Sequence, residues 1–441
     1  MSWPIITQYI GVLMSFKEFK FHPKVTAGIE ACGFTTPTPI QKQAIPAILE
    51  GRDILGLAQT GTGKTAAFAL PLIQRLMDGP RKRVRALIVA PTRELAEQIN
   101  DDITRLAKQT GLRSISIYGG VGKQPQIKAI RNGVEIIVAC PGRLLDLLND
   151  RAFSLSSVEA LVLDEADHMF DKGFLPDIRR IIQQLPTKRQ SLVFSATMPG
   201  EIRHLAENIL NNPVTVQINH TQPILAISHV LYQVAKANKT ALLKNMIQEG
   251  KMTSTLVFTR TKHKAKSLAL HLQKEGFSAA SIQGNLSQQK RQQALNGFKD
   301  GTFKILVATD IAARGIDVQG ISHVINYDIP DTAETYTHRT GRTGRATSSG
   351  EAFIFAGRED NKMVALIERT LGQKIRREPT PGIVYDPRED IVEEKKERVP
   401  QRMPRRKPAV SGRRRSQNSS ASGVFSLASS GRNSGNRRAQ Q

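Results

Sequence analysis

The chain has 441 residues, with 63 Lys and Arg against 39 Asp and Glu and a formal net charge of +24. This length predicts two or three globular domains, and the charge predicts a polyanionic partner such as nucleic acid. With only two cysteines the sequence excludes a disulfide framework and a cysteine-rich zinc module, and no apolar run approaches the roughly 20 residues that cross a bilayer. The first residues lack the basic segment of a signal peptide, so we expect a cytoplasmic protein without membrane contact.

Short β-branched runs alternate along the chain with longer amphipathic stretches, which is typical of an α/β fold with parallel sheets. The first series of predicted strands is Asp53–Gly56, Ala86–Ala90, Val134–Ala139, Leu161–Leu163 and Ser191–Phe194. The second series is Thr255–Phe258, Lys304–Ala308, His323–Asn326 and Ala352–Phe355. A polar stretch separates the two series. We therefore predict a first domain over residues 14–218, a linker over 219–227 and a second domain over 228–377.

The C-terminal segment has a different composition. From Arg398 to Gln441 there are eleven Lys and Arg and no acid, so this stretch holds +11 of the net charge. It is rich in Ser, Gly, Asn and Gln and has too little apolar surface to offset the entropy of ordering. We interpret residues 378–441 as a disordered basic tail.

The segment from Ala58 to Thr65 follows a predicted strand and precedes helix-forming residues, which is the context of a phosphate-binding loop. Gly61 and Gly63 allow backbone N–H groups to converge on phosphate oxygens at a helix N-terminus. Lys64 would contact the β- and γ-phosphates, and the Thr65 hydroxyl would bind Mg²⁺. Ala58 stands where the general pattern has its first glycine. The alternative is a glycine-rich turn that binds nothing, which the strand–helix context disfavours.

Asp164-Glu165-Ala166-Asp167 directly follows the apolar run Ala160–Leu163. A carboxylate at the end of a strand suits the Mg²⁺ of a nucleoside triphosphatase, which assigns Asp164 to the metal. Glu165 would orient and deprotonate the attacking water. Taken alone, the four residues would be an acidic helix start; after a phosphate loop in the same fold, the catalytic interpretation is favoured.

These motifs occur in a characteristic order: the phosphate loop, then Asp164–Asp167, Ser195–Thr197 and His338–Arg345. In this order, over about residues 16–375, the sequence resembles the DEAD-box RNA helicases. The resemblance implies two tandem RecA-like parallel-sheet domains with an active-site cleft between them. It implies ATP and Mg²⁺ as cofactors, RNA as partner, and RNA-stimulated ATP hydrolysis coupled to domain closure and local, non-processive unwinding.

The same resemblance implies roles for individual residues around the nucleotide. The catalytic set would be Lys64, Asp164, Glu165 and the arginine fingers Arg342 and Arg345. The nucleotide would be bound by Phe16, Gln41, Gln59, Thr60, Gly61, Thr62, Gly63, Lys64, Thr65 and Asp317. Within that set, Gln41 would pair with the adenine edge, Phe16 would stack on its face and Asp317 would contact the ribose. Coupling between domains would fall to Asp167, Ser195, Thr197, His338 and Arg339.

Small residues and single arginines just after the strands resemble the family's RNA contacts. They are Pro91, Thr92, Arg93, Gly120, Gly142, Arg143, Arg260, Gly284, Gln288, Arg291, Thr309 and Arg314. Such groups suit a sugar–phosphate backbone, which carries no sequence information, so we expect largely sequence-independent binding.

Three positions depart from the usual family pattern: Cys140 replaces Thr, Gln283 replaces His and Thr340 replaces Ile. The first is expected to weaken one hydroxyl contact to a phosphate. Segments such as Leu256–His263 and Thr380–Pro387 resemble the bacterial RhlE-type branch. Members of that branch often begin Met-Ser-Phe, as at Met14, so residues 1–13 are interpreted as an N-terminal extension or upstream-start peptide.

Two alternatives from other classes stay open. A non-catalytic RNA clamp would tend to lose the lysine or the base, whereas Lys64, Glu165 and both arginine fingers are present. A DNA-directed translocase of the same architecture is disfavoured only by the family motifs, because composition does not separate RNA from DNA. The sequence identifies neither the RNA served nor a protein partner; ribosome-assembly and RNA-degradation proteins are the candidates.

Overall fold

The computed structural model describes residues 15–218, 227–249, 252–313, 320–344 and 350–382. Its strands form two seven-stranded parallel sheets. The first sheet contains β1 (Ile54–Leu57), β2 (Ala86–Val89), β3 (Ser114–Ile117), β4 (Ile136–Ala139), β5 (Ala160–Leu163), β6 (Gln190–Ser195) and β7 (Val214–Gln217). The second contains β8 (Ile227–Gln233), β9 (Thr255–Phe258), β10 (Ala279–Ile282), β11 (Ile305–Ala308), β12 (His323–Asn326), β13 (Gly350–Ala356) and β14 (Arg376–Glu378).

Helices connect these strands and cover both sheets. Those of the first domain are α1 (Pro23–Ala31), α2 (Pro39–Leu49), α3 (Lys64–Met77), α4 (Arg93–Leu106), α5 (Lys123–Arg131), α6 (Pro141–Asn149), α7 (Ala166–Asp171), α8 (Leu175–Ile182) and α9 (Gly200–Ile209). Those of the second are α10 (Lys239–Gln248), α11 (Lys262–Lys274), α12 (Gln288–Lys299), α13 (Asp310–Ala313), α14 (Ala333–Thr340) and α15 (Asn361–Leu371). Short 3₁₀ helices span Phe16–Phe19, Lys236–Asn238 and Arg358–Asp360.

The two sheets have the same topology. The first runs β3-β4-β2-β5-β6-β1-β7 and the second β10-β11-β9-β12-β13-β8-β14, so each strand of the second domain has a counterpart seven strands earlier. Parallel pairing throughout brings the carboxyl ends of all strands in a sheet to one edge. This confirms the predicted α/β class with two tandem parallel-sheet domains.

Burial on both faces explains the apolar strands. In β2, Ile88 packs in the core on one face of the first sheet, while Leu87 and Val89 pack on the other. In β9, Val257 and Leu256 are divided between two cores in the same way. Strands covered on both faces are nearly continuous apolar runs, which is why the sequence revealed them.

Hydroxyl caps set where several helices begin. The side chains of Thr92, Thr261, Ser287 and Thr332 accept hydrogen bonds from backbone N–H groups in the first turns of α4, α11, α12 and α14. Each cap follows a strand, so it fixes the start of a helix at the carboxyl edge of the sheet.

Only one of the two equivalent first turns is built for phosphate. In the first domain, glycines separate β1 from Lys64 at the start of α3. In the second domain, β8 leads through a 3₁₀ helix without glycine to Lys239 at the start of α10. The Nζ of Lys239 is buried and donates to the carbonyl of Tyr327 at 3.1 Å. The second turn therefore lacks the glycines that let backbone N–H groups converge on a phosphate.

The structure also gives element ends near the predicted domain boundaries. The first sheet ends at Gln217, β8 begins at Ile227 within the predicted linker, and β14 runs to Glu378, one residue past the predicted second domain. Most of the linker, residues 219–226, lies outside the described residues. No helix among the residues the structure describes is both long and apolar enough to span a bilayer.

Candidate nucleotide and RNA site

The turn between β1 and α3 has the backbone of a phosphate-binding loop. Gly61 and Gly63 have φ values of 84° and 91°, which side-chain-bearing residues rarely adopt. A Cβ at Gly63 would lie 2.6 Å from the Nε2 atom of Gln41, so this position also lacks room for a side chain. The N-terminus of α3, a 14-residue helix, therefore opens directly onto the loop.

Lys64 and Asp164 meet beneath this loop. The Nζ of Lys64 is buried, donates to the carbonyl of Ala58 at 3.0 Å and lies 3.8 Å from Oδ1 of Asp164. Burial raises the pKa of Asp164 to about 6, although the Lys64 charge opposes this shift. Charge compensation at Asp164 is therefore incomplete, and an added cation would stabilise its ionised form.

The carboxylate of Glu165 is held from two sides. Oε1 accepts a hydrogen bond from the Thr60 hydroxyl at 3.2 Å, and Oε2 lies 3.2 Å from Nδ1 of His168. Burial acts to raise the pKa of Glu165, but the His168 hydrogen bond and the charges of Lys64 and Arg342 outweigh it, so the pKa falls to about 2. Glu165 is therefore ionised at neutral pH. Its backbone is in the left-handed region, with φ of 54°.

Asp167 ties the end of β5 to the end of β6. Its Oδ2 accepts from the backbone N–H of Ala196 at 3.1 Å and from the N–H and hydroxyl of Thr197 at 2.8 and 3.0 Å. The N–H of Asp167 donates to the Ser195 hydroxyl at 3.1 Å. Three of the predicted coupling residues are thus brought together within the first domain.

The second domain completes the site from the other side of a cleft. A cavity of about 710 Å³ is lined by Thr60, Glu165, His168 and Thr197 of the first domain and by His338 and Arg342 of the second. Arg342 is buried and its charge contributes to the low pKa of Glu165. The predicted base and one predicted arginine finger therefore face the same space.

Arg339, on α14 beside this cleft, bonds within its own domain. Its guanidinium makes two bonds to the Asp310 carboxylate, at 2.6 and 2.7 Å, and donates to Asn326 Oδ1 and the Asp328 carbonyl at 3.0 and 2.7 Å. It also lies 5.0 Å from the centre of the Phe258 ring. These bonds link α14 to α13 and β12, and an interdomain role for Arg339 stays a prediction.

The predicted adenine contacts lie beside the phosphate loop. Oε1 of Gln41 accepts from the N–H of Thr38 at 2.9 Å, and Nε2 donates to the Gly63 carbonyl at 3.1 Å. An amide oxygen and an amide nitrogen each have a second position, so Gln41 can still pair with a base edge. Phe16 is buried with its ring stacked 6.2 Å from that of Phe34.

The strand order separates the two kinds of predicted contact. Phosphate, base and coupling residues follow β1, β5 and β6, which are neighbours on one side of the first sheet. Predicted RNA contacts follow β2, β3 and β4, which are neighbours on the other side. In the second sheet, Arg260, Gly284 and Thr309 likewise follow the adjacent strands β9, β10 and β11. The first domain thus has a predicted nucleotide half, and each domain has a predicted RNA half.

The loops of the first RNA half are braced against one another. Gly120 has φ of 84°, and a Cβ there would lie 2.3 Å from Nη1 of Arg93. Arg143 donates to Oε1 of Gln126 at 3.2 Å and to the carbonyl of Val121 at 3.0 Å. Gly142 and Gly284 are exposed, as a backbone contact to RNA requires.

Gln288 and Arg291 bond to the first domain. Nε of Arg291 donates to Oε1 of Glu94 at 2.6 Å, and both side chains are nearly buried, at 11% and 4% exposure. Nε2 of Gln288 is 3.4 Å from Oε2 of Glu97, and Oε1 of Glu97 accepts a hydrogen bond from the Tyr118 hydroxyl. The RNA contact predicted for these two residues stays a prediction, but their bonds in this structure connect the two domains.

The three departures from the family pattern fit their surroundings. Cys140 precedes α6 without a side-chain cap, and burial raises the pKa of its thiol to about 12. Gln283 is buried and its Oε1 accepts from the N–H of Asn285 at 2.6 Å. The hydroxyl of Thr340 donates to the carbonyl of Tyr336 at 3.1 Å within α14.

Some predictions fall outside the described residues: the ribose contact Asp317, the finger Arg345, the RNA contact Arg314, residues 1–14 and the tail from residue 383. Conversely, three residues gain a role that the sequence did not suggest. His168 lies one turn after Glu165, a spacing that could have indicated the contact. Glu94 and Glu97 are acids within a segment expected to face phosphates, and this was the available signal that they bond to another part of the chain.

Comparison with known proteins agrees with this geometry. Residues 38–205 match the DEAD/DEAH box helicase family, and residues 238–347 match the helicase conserved C-terminal domain. The chain is 40% identical over 375 residues to the ATP-dependent RNA helicase CshA of Listeria monocytogenes, covering 85% of this chain and 72% of that protein. A DEAD-box ATP-dependent RNA helicase CshA of Geobacillus kaustophilus is 40% identical over 84% of this chain and 79% of its own.

Solved structures give the same result. S. cerevisiae Dbp5 bound to RNA and ADP BeF3 superposes with a TM-score of 0.74 at 31% identity, covering 86% of this chain and 99% of that one. The two tandem RecA-like domains are thereby confirmed. The narrower assignment to the RhlE-type branch stays a prediction, since the sequence relatives given above are named CshA.

Proposed function

Because this chain belongs to the DEAD-box family of ATP-dependent RNA helicases, we propose that it hydrolyses ATP in the cleft between its two domains when RNA bridges their other halves. The observation that carries this proposal is the shared cavity. Thr60 of the phosphate loop, Glu165 of the Asp-Glu-Ala-Asp segment and Arg342 of the second domain all line it.

The first domain supplies the phosphate contacts and the base. Lys64 leaves its carbonyl partner to reach the β- and γ-phosphates, while backbone N–H groups at the start of α3 bind phosphate oxygens. Glu165 stays ionised and accepts a hydrogen bond from the attacking water, which orients that water towards the γ-phosphorus. A pKa of about 2 makes it a weak base, so orientation is its larger contribution.

Mg²⁺ fits the residues beside the loop. Mg²⁺ prefers hard oxygen ligands and usually keeps waters and substrate phosphates around it. The Asp164 carboxylate is incompletely compensated by Lys64, and Thr65 stands at the first turn of α3. No group of three or more His, Cys, Asp and Glu among the described residues could hold a metal alone. Asp164 and Thr65 would therefore share it with the phosphates, whose charge it would neutralise.

The second domain supplies the charge that hydrolysis requires. Arg342 would stabilise the negative charge that develops on the γ-phosphate, an effect worth roughly 10³–10⁵ in rate for an arginine finger. Since Arg342 belongs to a different domain from Lys64, hydrolysis depends on closure. RNA that contacts both RNA halves favours closure, and binding and turnover become linked equilibria.

The RNA halves also suggest how strands are separated. The predicted contacts are backbone-directed, so the bound RNA is selected by shape and charge. Closure on one strand would open a short duplex locally, without translocation along it. We place the protein in the cytoplasm, and we propose ribosome assembly or RNA degradation as its setting.

Two substitutions test the catalytic assignment. Lys64→Ala should impair ATP binding, whereas Glu165→Gln should bind ATP and RNA and stop turnover. RNA-stimulated phosphate release, measured with nucleotide binding in the same samples, separates these effects. Phosphate release at the parental rate by Glu165→Gln would show that the base is assigned incorrectly.

A further inference from the structure

Glu165 has one side-chain neighbour that the reaction described above leaves unused. His168 lies one turn further along α7, nearly buried, with Nδ1 at 3.2 Å from Oε2 of Glu165. It lines the same 710 Å³ cavity as Glu165 and Arg342. We propose that His168 is a positioning residue, which holds the carboxylate of Glu165 in the orientation that ATP hydrolysis requires.

The chemistry of the pair fixes which atom donates. An ionised carboxylate only accepts hydrogen bonds, and the role proposed above for Glu165 requires that form. Nδ1 of His168 must therefore carry the hydrogen that it shares with Oε2. The backbone N–H of His168 donates to Oδ1 of Asp167 at 3.0 Å in the first turn of α7.

The two contacts of Glu165 come from different parts of the site. Thr60 holds Oε1 from the phosphate loop, and this contact must rearrange when phosphates occupy the loop. His168 holds Oε2 from α7, which is anchored by the bonds of Asp167 to Ala196 and Thr197. When nucleotide is bound, His168 is the contact that stays with the carboxylate.

Loss of this contact should affect turnover more than binding. A hydrogen bond to a charged group and a misplacement of about 1 Å each correspond to roughly ten- to hundredfold in rate. ATP affinity depends on Lys64 and the loop, whereas the His168 ring bonds Glu165. We therefore expect a fall in kcat with an almost unchanged KM for ATP.

The chain contains a matched control. His204 and Glu207 on α9 have the same i, i+3 spacing and the same atom pair, Nδ1 and Oε2, at 3.5 Å. Their side chains are 79% and 42% exposed, and they lie outside the cavity lining. His204→Leu removes the same kind of pair without touching the site, so it should leave turnover unchanged.

The test measures RNA-stimulated phosphate release by the full chain for His168→Leu, His168→Asn and His204→Leu. His168→Leu should lower kcat about ten- to hundredfold, with KM for ATP within about twofold of the parent. In His168→Asn the amide nitrogen is bonded to Cγ, as Nδ1 is, so it can replace the donor; we expect kcat within about threefold of the parent. Thermal melting of each variant reports whether α7 stays folded.

A double substitution shows whether His168 acts through Glu165. This proposal rests on the role of Glu165 proposed above, so Glu165→Gln is measured alongside. If His168 acts through Glu165, the double variant should be no slower than Glu165→Gln alone. If Glu165→Gln hydrolyses ATP at the parental rate, Glu165 is not the base. His168 would then have no catalytic group to position.

Two other outcomes would overturn the proposal while the base assignment stands. One is an inactive Glu165→Gln together with a parental kcat for His168→Leu. The other is an equal loss of kcat in the Leu and Asn variants with lowered melting temperatures, which would make His168 a structural residue of α7.

Discussion

Replacing Glu94 by Gln is expected to weaken RNA binding, although it removes a negative charge from a segment predicted to face phosphates. The reason is its contact with Arg291 of the second domain, at 2.6 Å between Nε and Oε1. Both side chains are nearly buried, and the bond connects two parts of the chain that must come together for hydrolysis. If Arg291 instead contacts RNA directly, Glu94→Gln is expected to strengthen RNA binding.

The size of the effect follows from burial. Breaking a buried ion pair by removing one partner costs about 3–5 kcal/mol when the remaining charge stays buried. Here the domains can separate and return Arg291 to water. The loss therefore appears as a shift of the equilibrium between open and closed domains towards the open state. A hydrogen bond between charged groups is worth about 1.5–3 kcal/mol, which corresponds to a ten- to hundredfold weaker closed state.

The assay is RNA affinity in the presence of a non-hydrolysable ATP analogue, repeated over a salt series. Glu94→Gln, Arg291→Gln and the double variant should lose similar amounts, because each breaks the same ion pair. Glu275→Gln is the control, since it removes a pair with Lys244 that lies wholly within the second domain. If Glu94→Gln binds RNA as tightly as the parent while Arg291→Gln binds weakly, Arg291 contacts phosphate and the bridge has no role in closure.

Three further predictions concern the base, the pH response and the tail. The parent should prefer ATP to GTP by tenfold or more, because mismatched buried polar groups cost about 1–3 kcal/mol each. The Gln41→Ala variant should lose this preference. Equal turnover of both nucleotides by the parent would refute the adenine contact. Burial lowers the pKa of His323 below its ordinary 6.5, although the nearby Glu351 carboxylate opposes this shift. The unfolded chain therefore binds a proton at His323 more readily than the folded chain, and the protein loses stability as pH falls below 6.5. Melting temperatures at pH 7.5 and 5.5 should therefore fall further in the parent than in His323→Gln, and equal falls would refute the shift. In a chain ending at Glu397, the slope of log RNA affinity against log salt concentration should be flatter by roughly 0.7 per lost phosphate contact. Turnover at saturating RNA should be unchanged. An unchanged slope would mean that the tail makes no phosphate contact.

The sequence predicted the central strands of both sheets and missed those near the edges. Strands such as β9 and β12 were found with the observed bounds because both their faces are buried. The edge strands β3 and β10 contain Ser and Ala among their apolar residues, as in Ser114–Ile117 and Ala279–Ile282. An edge strand is covered less completely, so its residues carry a weaker apolar signal.

The arrangement of the predicted phosphate loop and base could be read from the sequence because it is local. Glycines, a lysine and an acid after a strand suffice to indicate them, and the structure brings Lys64, Asp164 and Glu165 together. Contacts between distant segments were not predictable in this way. Arg291 and Glu94 are 197 residues apart, and no local pattern pairs them. His168 was overlooked because a histidine after an acidic segment is commonly solvated on a helix surface.

The contribution of the second domain to hydrolysis is tested most directly by phosphate release from Arg342→Ala at saturating ATP and RNA. Arg342 lines the cavity opposite Glu165, yet it lies on the domain that carries no phosphate loop. We expect ATP and RNA binding to persist while RNA-stimulated phosphate release falls by roughly 10³ or more. Release within about threefold of the parental rate would contradict a site shared between the two domains.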